Sequence, residues 1–273
     1  METSLSITPK RASLVIFYVL TFALSWGLWI LLPGTLTGLL GAWAPSLVAI
    51  ILTAVLYGRA ALRALLGRVV RWRVGLLWYL FALLWPPVLS LMVTGISMLF
   101  GRAAPDFANP PVMSVYPVPP EVRGAGPLVL LPMVFVIQFF GSSLGEELGW
   151  RGFALPRFQS RWSPLVAGGI VGFIWGIWQI MHEWTPGQAV DALSLTWLVI
   201  GMTLNGVLYA WMFNNTRGSL IPALLLHTSQ ALTGLFLAGL PNPLFSIVLT
   251  ALLVGAILMQ DRAARMTHLP AST

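Results

Sequence analysis

Eight long apolar runs divide this chain, and they dictate most of what it can fold into. They lie near residues 13–32, 38–57, 75–100, 127–146, 164–182, 192–213, 219–239 and 243–260. Each is close to the roughly 20 residues that an α-helix needs to cross bilayer hydrocarbon. In lipid the backbone must satisfy its own N–H and C=O groups, so each run is expected as a helix. Charged residues are 8% of the chain, against about 25% in a soluble domain. The expected fold class is therefore all-α: a polytopic membrane helical bundle of about eight transmembrane helices. No low-complexity linker or internal repeat interrupts residues 1–273, so a single integral membrane domain is expected.

The net charge of +7 does not point to nucleic acid, because of where the charges fall. Lys10 and Arg11 precede the first run. Arg59, Arg63, Arg68, Arg71 and Arg73 lie between the second and third. Arg151, Arg157 and Arg161 follow the fourth, Arg217 the sixth, and Arg262 and Arg265 the eighth. These alternate segments hold 13 of the 15 basic residues, leaving Arg102 and Arg123 on the other side. That is the positive-inside pattern, and it predicts a cell-membrane protein with both termini cytoplasmic. With no cysteine, disulfide and thiolate chemistry are excluded. The first run lacks a clear small-residue cleavage site and is expected as a retained anchor.

Within 58–73, Arg59, Arg63 and Arg71 alternate with Leu62, Leu65, Leu66, Val69 and Val70 at helical spacing. An amphipathic helix at the cytoplasmic interface, serving as a topology anchor, is expected there. Residues 101–125 carry Pro105, Pro110, Pro111, Pro117, Pro119 and Pro120, which oppose regular structure and leave a lid or a plain connection. Gly168, Gly172 and Gly176 recur on one face of the fifth run and predict a helix packed closely inside the bundle.

Against this background, Glu146-Glu147-Leu-Gly-Trp-Arg151 stands out, because the whole chain has only eight acidic residues. Ionisable groups at membrane depth usually mark function or its supporting ion pair. Glu147 and Arg151 are four apart and can pair on one helix face. Glu146 is rotated by about 100° from Glu147, which frees it to face the bundle interior, where a desolvated carboxyl suits acid–base work. His227, flanked by Leu224, Leu225 and Leu226, needs a partner in lipid, and Glu146 is the expected one. A carboxylate and an imidazole that share one water can activate it for attack on a carbonyl. His268 falls in the C-terminal tail. His182, next to Glu183, lies near the outer end of the fifth run without a second histidine at protease spacing. If a divalent metal such as zinc takes part, the available ligands are Glu146, His227 and His182.

These residues resemble the CPBP family, the CAAX-protease and bacteriocin-processing intramembrane endopeptidases. The resemblance runs over about residues 38–240. It rests on Glu146, Glu147, Arg151 and Gly152; on Gly172-Phe-Ile-Trp175-Gly-Ile-Trp178; and on Tyr209-Ala-Trp211 through Thr216-Arg217-Gly218-Ser219-Leu220-Ile-Pro222 to His227. It implies eight helices around a cytoplasm-facing cavity. It also implies that Glu146 and His227 activate water while Gln179 and residue 231 occupy the oxyanion-holding positions. In the family those two are histidine and asparagine; here they are Gln179 and Ala231. Gln179 keeps an amide donor and Ala231 offers none, with Gln230, Thr228 or His182 as substitutes close in sequence.

Three functions follow as expectations. The first is an intramembrane endopeptidase acting on a membrane-associated or lipidated peptide. The second is a lapsed pseudoprotease that binds such a peptide for immunity or regulation. The third is a small transporter with Glu146 and His227 as proton relay, against which the absence of internal repeats counts.

Overall fold

The structure, a computed structural model, describes residues 12–32, 35–116, 126–183, 191–237 and 243–260, and every regular element among them is helical. In order these are α1 (Ala12–Leu31), α2 (Thr35–Gly67), α3 (Leu76–Leu99) and the single turn α4 (Val112–Val115). There follow α5 (Pro127–Gln159), α6 (Pro164–Glu183), α7 (Ala192–Asn215), α8 (Ile221–Phe236) and α9 (Pro243–Gln260). Lys10, Arg11, Arg123, Arg262, Arg265 and His268 lie outside the described residues, as does the side chain of Glu183.

Among the described residues, seven helices are long and apolar enough to cross a membrane. The chain is a multi-pass membrane protein. The exception among the expected spans is α8, which has 16 residues rather than the 219–239 stretch read from hydropathy. Its sequence explains the difference. Arg217 and Gly218 take left-handed φ values of 55° and 74° and turn the chain, and Pro222 starts the helix. Leu224, Leu226, His227, Thr228 and Ser229 are all buried, so neighbouring helices rather than lipid surround much of α8. A helix sheltered by protein need not match the bilayer by itself.

The largest departure from expectation is α5. Hydropathy ends the fourth span at Glu146, yet the helix runs on to Gln159 and buries Arg151 inside it. Arg151 is therefore a core residue and not part of the loop charge pattern. Two stretches of α5, Phe139–Ser143 and Leu148–Ala154, are wound as π-helix on either side of Leu144–Glu147. Wide turns of this kind re-aim side chains and concentrate at functional sites.

Small residues set the helix spacing. A Cβ on Gly172 would fall 2.9 Å from the Cα of Gly206 on α7, and one on Gly168 would fall 2.7 Å from the Cβ of Ala210. The expected close packing of the fifth run is thus realised against α7. A second stripe, Gly141, Gly145 and Gly149, brings α5 against α2: a Cβ on Gly149 would lie 2.6 Å from the carbonyl carbon of Pro45. Ser46 Oγ donates to the Leu144 carbonyl at 2.8 Å across the same contact.

The amphipathic segment departs from a plain anchor. Gly58 breaks α2 with φ 78°, and helix resumes only as far as Gly67. Residues 68–73 then dock on the turn before α8. The Leu220 N–H donates to the Arg68 carbonyl at 3.0 Å, Ser219 Oγ donates to the Arg71 carbonyl at 2.6 Å, and the Arg71 guanidinium donates to the Arg217 carbonyl. Arg68 lies over the Phe213 ring at 5.2 Å, and burial pulls its pKa down to about 10. In the proline-rich stretch, α4 packs Val112 and Met113 against Leu130, Val134 and Phe236 and closes that end of the bundle; Pro117, Pro119 and Pro120 lie outside the described residues.

Candidate active site

The site forms where α5, α6 and α8 meet in the interior. Glu146, Glu147, Arg151 and His227 are 4%, 0%, 1% and 8% exposed. Buried charges are tolerated only when paired and hydrogen-bonded. Here each is. Arg151 Nη1 donates to Glu147 Oε1 at 2.7 Å, which is the pairing expected four residues apart on a helix. The guanidinium also lies 3.7 Å from the Tyr209 ring centroid and 4.3 Å from that of Trp175, so two aromatic faces cover it, while its Nη2 and Glu147 Oε2 are buried without a hydrogen-bond partner. Cation–π contacts of this sort strengthen when desolvated.

His227 makes its direct hydrogen bond to Glu147, not to Glu146 as expected: Nδ1–H donates to Glu147 Oε1 at 2.8 Å. That bond fixes the ring's orientation and leaves Nε2 aimed at Glu146, with Nε2 3.8 Å from Glu146 Oε1. The separation exceeds a direct hydrogen bond, yet both atoms can bond one small group between them. The two acids thus divide the work. Glu147 orients the imidazole and neutralises Arg151, while Glu146 faces the other ring nitrogen.

Glu146 does not hang free. Its Oε2 accepts from Trp175 Nε1 at 2.8 Å and from Trp150 Nε1 at 3.4 Å, and its Oε1 accepts from Ser142 Oγ at 3.0 Å. Trp175 belongs to the motif on α6, and its bond sets that helix level with Glu146. The extension of α5 to Gln159 makes this possible by moving Glu146 from the end of a span to its interior. Ser142 and the indole donors carried no functional signal by residue type. Ser142 was recognisable only as a hydroxyl four residues before the acid. Beside it, Ser143 bonds Thr228 at 2.8 Å and ties α5 to α8.

The remaining candidates fall around this centre. Gln179 sits one turn beyond Trp175 on α6, half-buried, with its Nε2 3.1 Å from His182 Nδ1. His182 is exposed and meets Trp29 edge-on at 5.3 Å, so it does not join Glu146 and His227. Gln230 is engaged elsewhere: its Oε1 accepts from Tyr209 and its Nε2 donates to Asn205, each at 2.8 Å. Thr228 is held by Ser143 and donates to the Leu224 carbonyl. Neither side chain is placed to stand in at Ala231. Among the described residues no group of three or more His, Cys, Asp or Glu side chains is arranged to hold a metal. The donor set Glu146, His227 and His182 does not converge, and it does not fit a three-ligand zinc site.

Residues 128–233 match the family described as type II CAAX prenyl endopeptidase Rce1-like. That stretch covers α5 to most of α8, including every polar residue of the cluster, and is shorter than the 38–240 region over which the sequence resemblance was read. A CAAX prenyl protease 2 from Methanococcus maripaludis is 27% identical over 103 residues, which is 36% of this chain and 37% of that protein. The match thus spans little more than a third of the relative's length.

Proposed function

Taking residues 128–233 as those of a CPBP-type protein, we propose that the chain is an intramembrane endopeptidase that hydrolyses a peptide bond in a membrane-associated substrate. The observation that carries this reading is the facing pair, Glu146 Oε1 and His227 Nε2, 3.8 Å apart and each fixed from behind. A water between them gives up a proton to the carboxylate as its oxygen adds to the peptide carbonyl carbon. Glu147 holds Nδ1–H, so Nε2 is the ring atom that exchanges a proton with the leaving amine, the division of labour of an acid–histidine pair. Gln179, one turn from Trp175, supplies an amide N–H toward the developing oxyanion. Loss of one oxyanion donor costs about 10²–10³ in rate, so Ala231 makes this a slow enzyme rather than a dead one. The substrate is a membrane-held peptide or protein tail, with a lipid modification as its membrane anchor.

A second reading, a binding protein that has lost catalysis, is favoured by one observation: the Gln179 amide is turned to His182, and Ala231 has no donor. Cleavage of a quenched fluorescent lipidated peptide by purified protein separates the two. Wild type, Glu146→Ala and Ala231→Asn are compared. The endopeptidase reading expects cleavage by wild type, none by Glu146→Ala, and a gain with Ala231→Asn. Cleavage by Ala231→Asn alone would establish the binding protein instead, and equal cleavage by Glu146→Ala would remove the acid from the mechanism.

A further inference from the structure

One polar side chain at the centre has no part in the water-activating pair. Ser142 stands on the π-wound stretch of α5, half-buried, more open than the acid and the imidazole beside it. Its Oγ is 3.0 Å from Glu146 Oε1 and 3.5 Å from His227 Nε2. The neighbouring Ser143 is fully buried and bonded to Thr228, which makes it a tie between helices and leaves Ser142 as the hydroxyl in the site.

A hydroxyl has one hydrogen and two lone pairs. Glu147 only accepts, so the hydrogen of the neutral imidazole sits on Nδ1 and Nε2 is an acceptor. Ser142 therefore faces two acceptors with a single hydrogen. When that hydrogen serves Glu146, an oxygen lone pair faces Nε2 and favours a proton there. When Glu146 carries a proton, the carboxyl O–H can donate to Oγ, and the serine hydrogen is free to turn to Nε2. The two states differ only in which end of the array holds the proton.

We propose that Ser142 is a proton relay between Glu146 and His227. This rests on the endopeptidase reading and deepens it. As the water oxygen bonds to the carbonyl carbon, the carbonyl π pair moves onto its oxygen and the water proton goes to Glu146 Oε1. That proton then passes to Ser142 Oγ while the serine's own hydrogen passes to His227 Nε2. The Nε2–H protonates the leaving nitrogen as the C–N bond breaks, and all three side chains return to their starting state. No other reagent is consumed. The relay replaces one 3.8 Å gap with steps of 3.0 and 3.5 Å. Catalytic hydrogen bonds that are long in a free enzyme tighten in its complex.

The test uses the full chain with Ser142→Ala and Ser142→Thr. On the peptide, Ser142→Ala lowers kcat by about 10²-fold, in the range of a lost general acid–base contribution, with KM unchanged, and Ser142→Thr restores most of it. A second readout needs no substrate. In ¹⁵N-histidine spectra of the protein in micelles, the His227 signals are assigned by their loss in His227→Gln. Ser142→Ala shifts the Nε2 signal, and Ser142→Thr returns it toward wild type. An unchanged kcat in Ser142→Ala, an unmoved Nε2 signal, or covalent capture of Ser142 by a fluorophosphonate, which would make it a nucleophile, each overturns the relay. A wild type that cleaves no peptide while Ser142→Ala still shifts Nε2 upholds the hydrogen-bonded array and sinks only the endopeptidase reading.

Discussion

Arg151 shows how a single side chain reconciles two adjacent acids with the interior of a membrane protein. Its charge offsets Glu147 at 2.7 Å, and the rings of Trp175 and Tyr209 cover its faces. Removing one partner of a buried ion pair leaves the other uncompensated, at a cost of about 3–5 kcal/mol. Arg151→Met is expected to lower the thermal unfolding midpoint in detergent, and Glu147→Gln combined with Arg151→Met to recover part of the loss. A double mutant no more stable than Arg151→Met alone would show that the pairing is not what the arginine supplies. On the endopeptidase reading, cleavage should fall in the double mutant, because Glu147 also orients His227. The Glu147–Arg151 contact was legible in the sequence because helical spacing fixes it. The bond from His227 to Glu147 was not, since it joins residues 80 apart and depends on how α8 is rotated against α5. The same holds for Trp175 and Glu146, 29 apart.

Among the elements, α5 teaches most about the limits of reading hydropathy. A run of apolar residues followed by Glu, Glu and Arg looks like the end of a span, because charges ordinarily lie at the interface. When those charges neutralise one another internally, the helix continues through them, as α5 does to Gln159. The glycine stripe on the fifth run announced a closely packed helix but not its partner α7, and the stripe Gly141, Gly145 and Gly149 on α5 makes the equivalent approach to α2. Gly149→Ala is expected to reduce the yield of monodisperse protein sharply, because the new methyl meets the Pro45 backbone, which cannot yield as a side chain would. Gly169→Ala, with nothing within 4 Å of the new methyl, should leave yield and unfolding unchanged. Size-exclusion profiles of the two variants check the pair; equal behaviour would mean that α5 does not need its close approach to α2.

The molecule is a bundle in which, among the described residues, Arg68, Arg71, Arg73, Arg157 and Arg217 gather at one end. Residues 68–73 and the turn before α8 lie there, while α4 closes the other end. Because the chain has no cysteine, single introduced thiols report orientation without background. The positive-inside pattern expects Phe107→Cys to react with a membrane-impermeant maleimide added outside intact cells, and Ser160→Cys to react only after the membrane is opened. The reverse labelling would invert the topology. Fold class and the multi-pass arrangement were legible here because they follow from composition and run length, which survive any local misreading. Span number was less so: α8 is short, and its burial by neighbours could not be seen from its own residues.

The position of α8 in the chain has a consequence in time. It fits against α5 through Ser143–Thr228 and Glu147–His227, and against α3 through Ser229 Oγ, which donates to the Leu83 carbonyl. Synthesis delivers Glu146, Glu147 and Arg151 about eighty residues before the histidine that faces them. A nascent chain therefore holds half a reaction centre while the ribosome makes α6 and α7, and the second half arrives with α8. Whatever chemistry the cluster performs is withheld until α8 has been made.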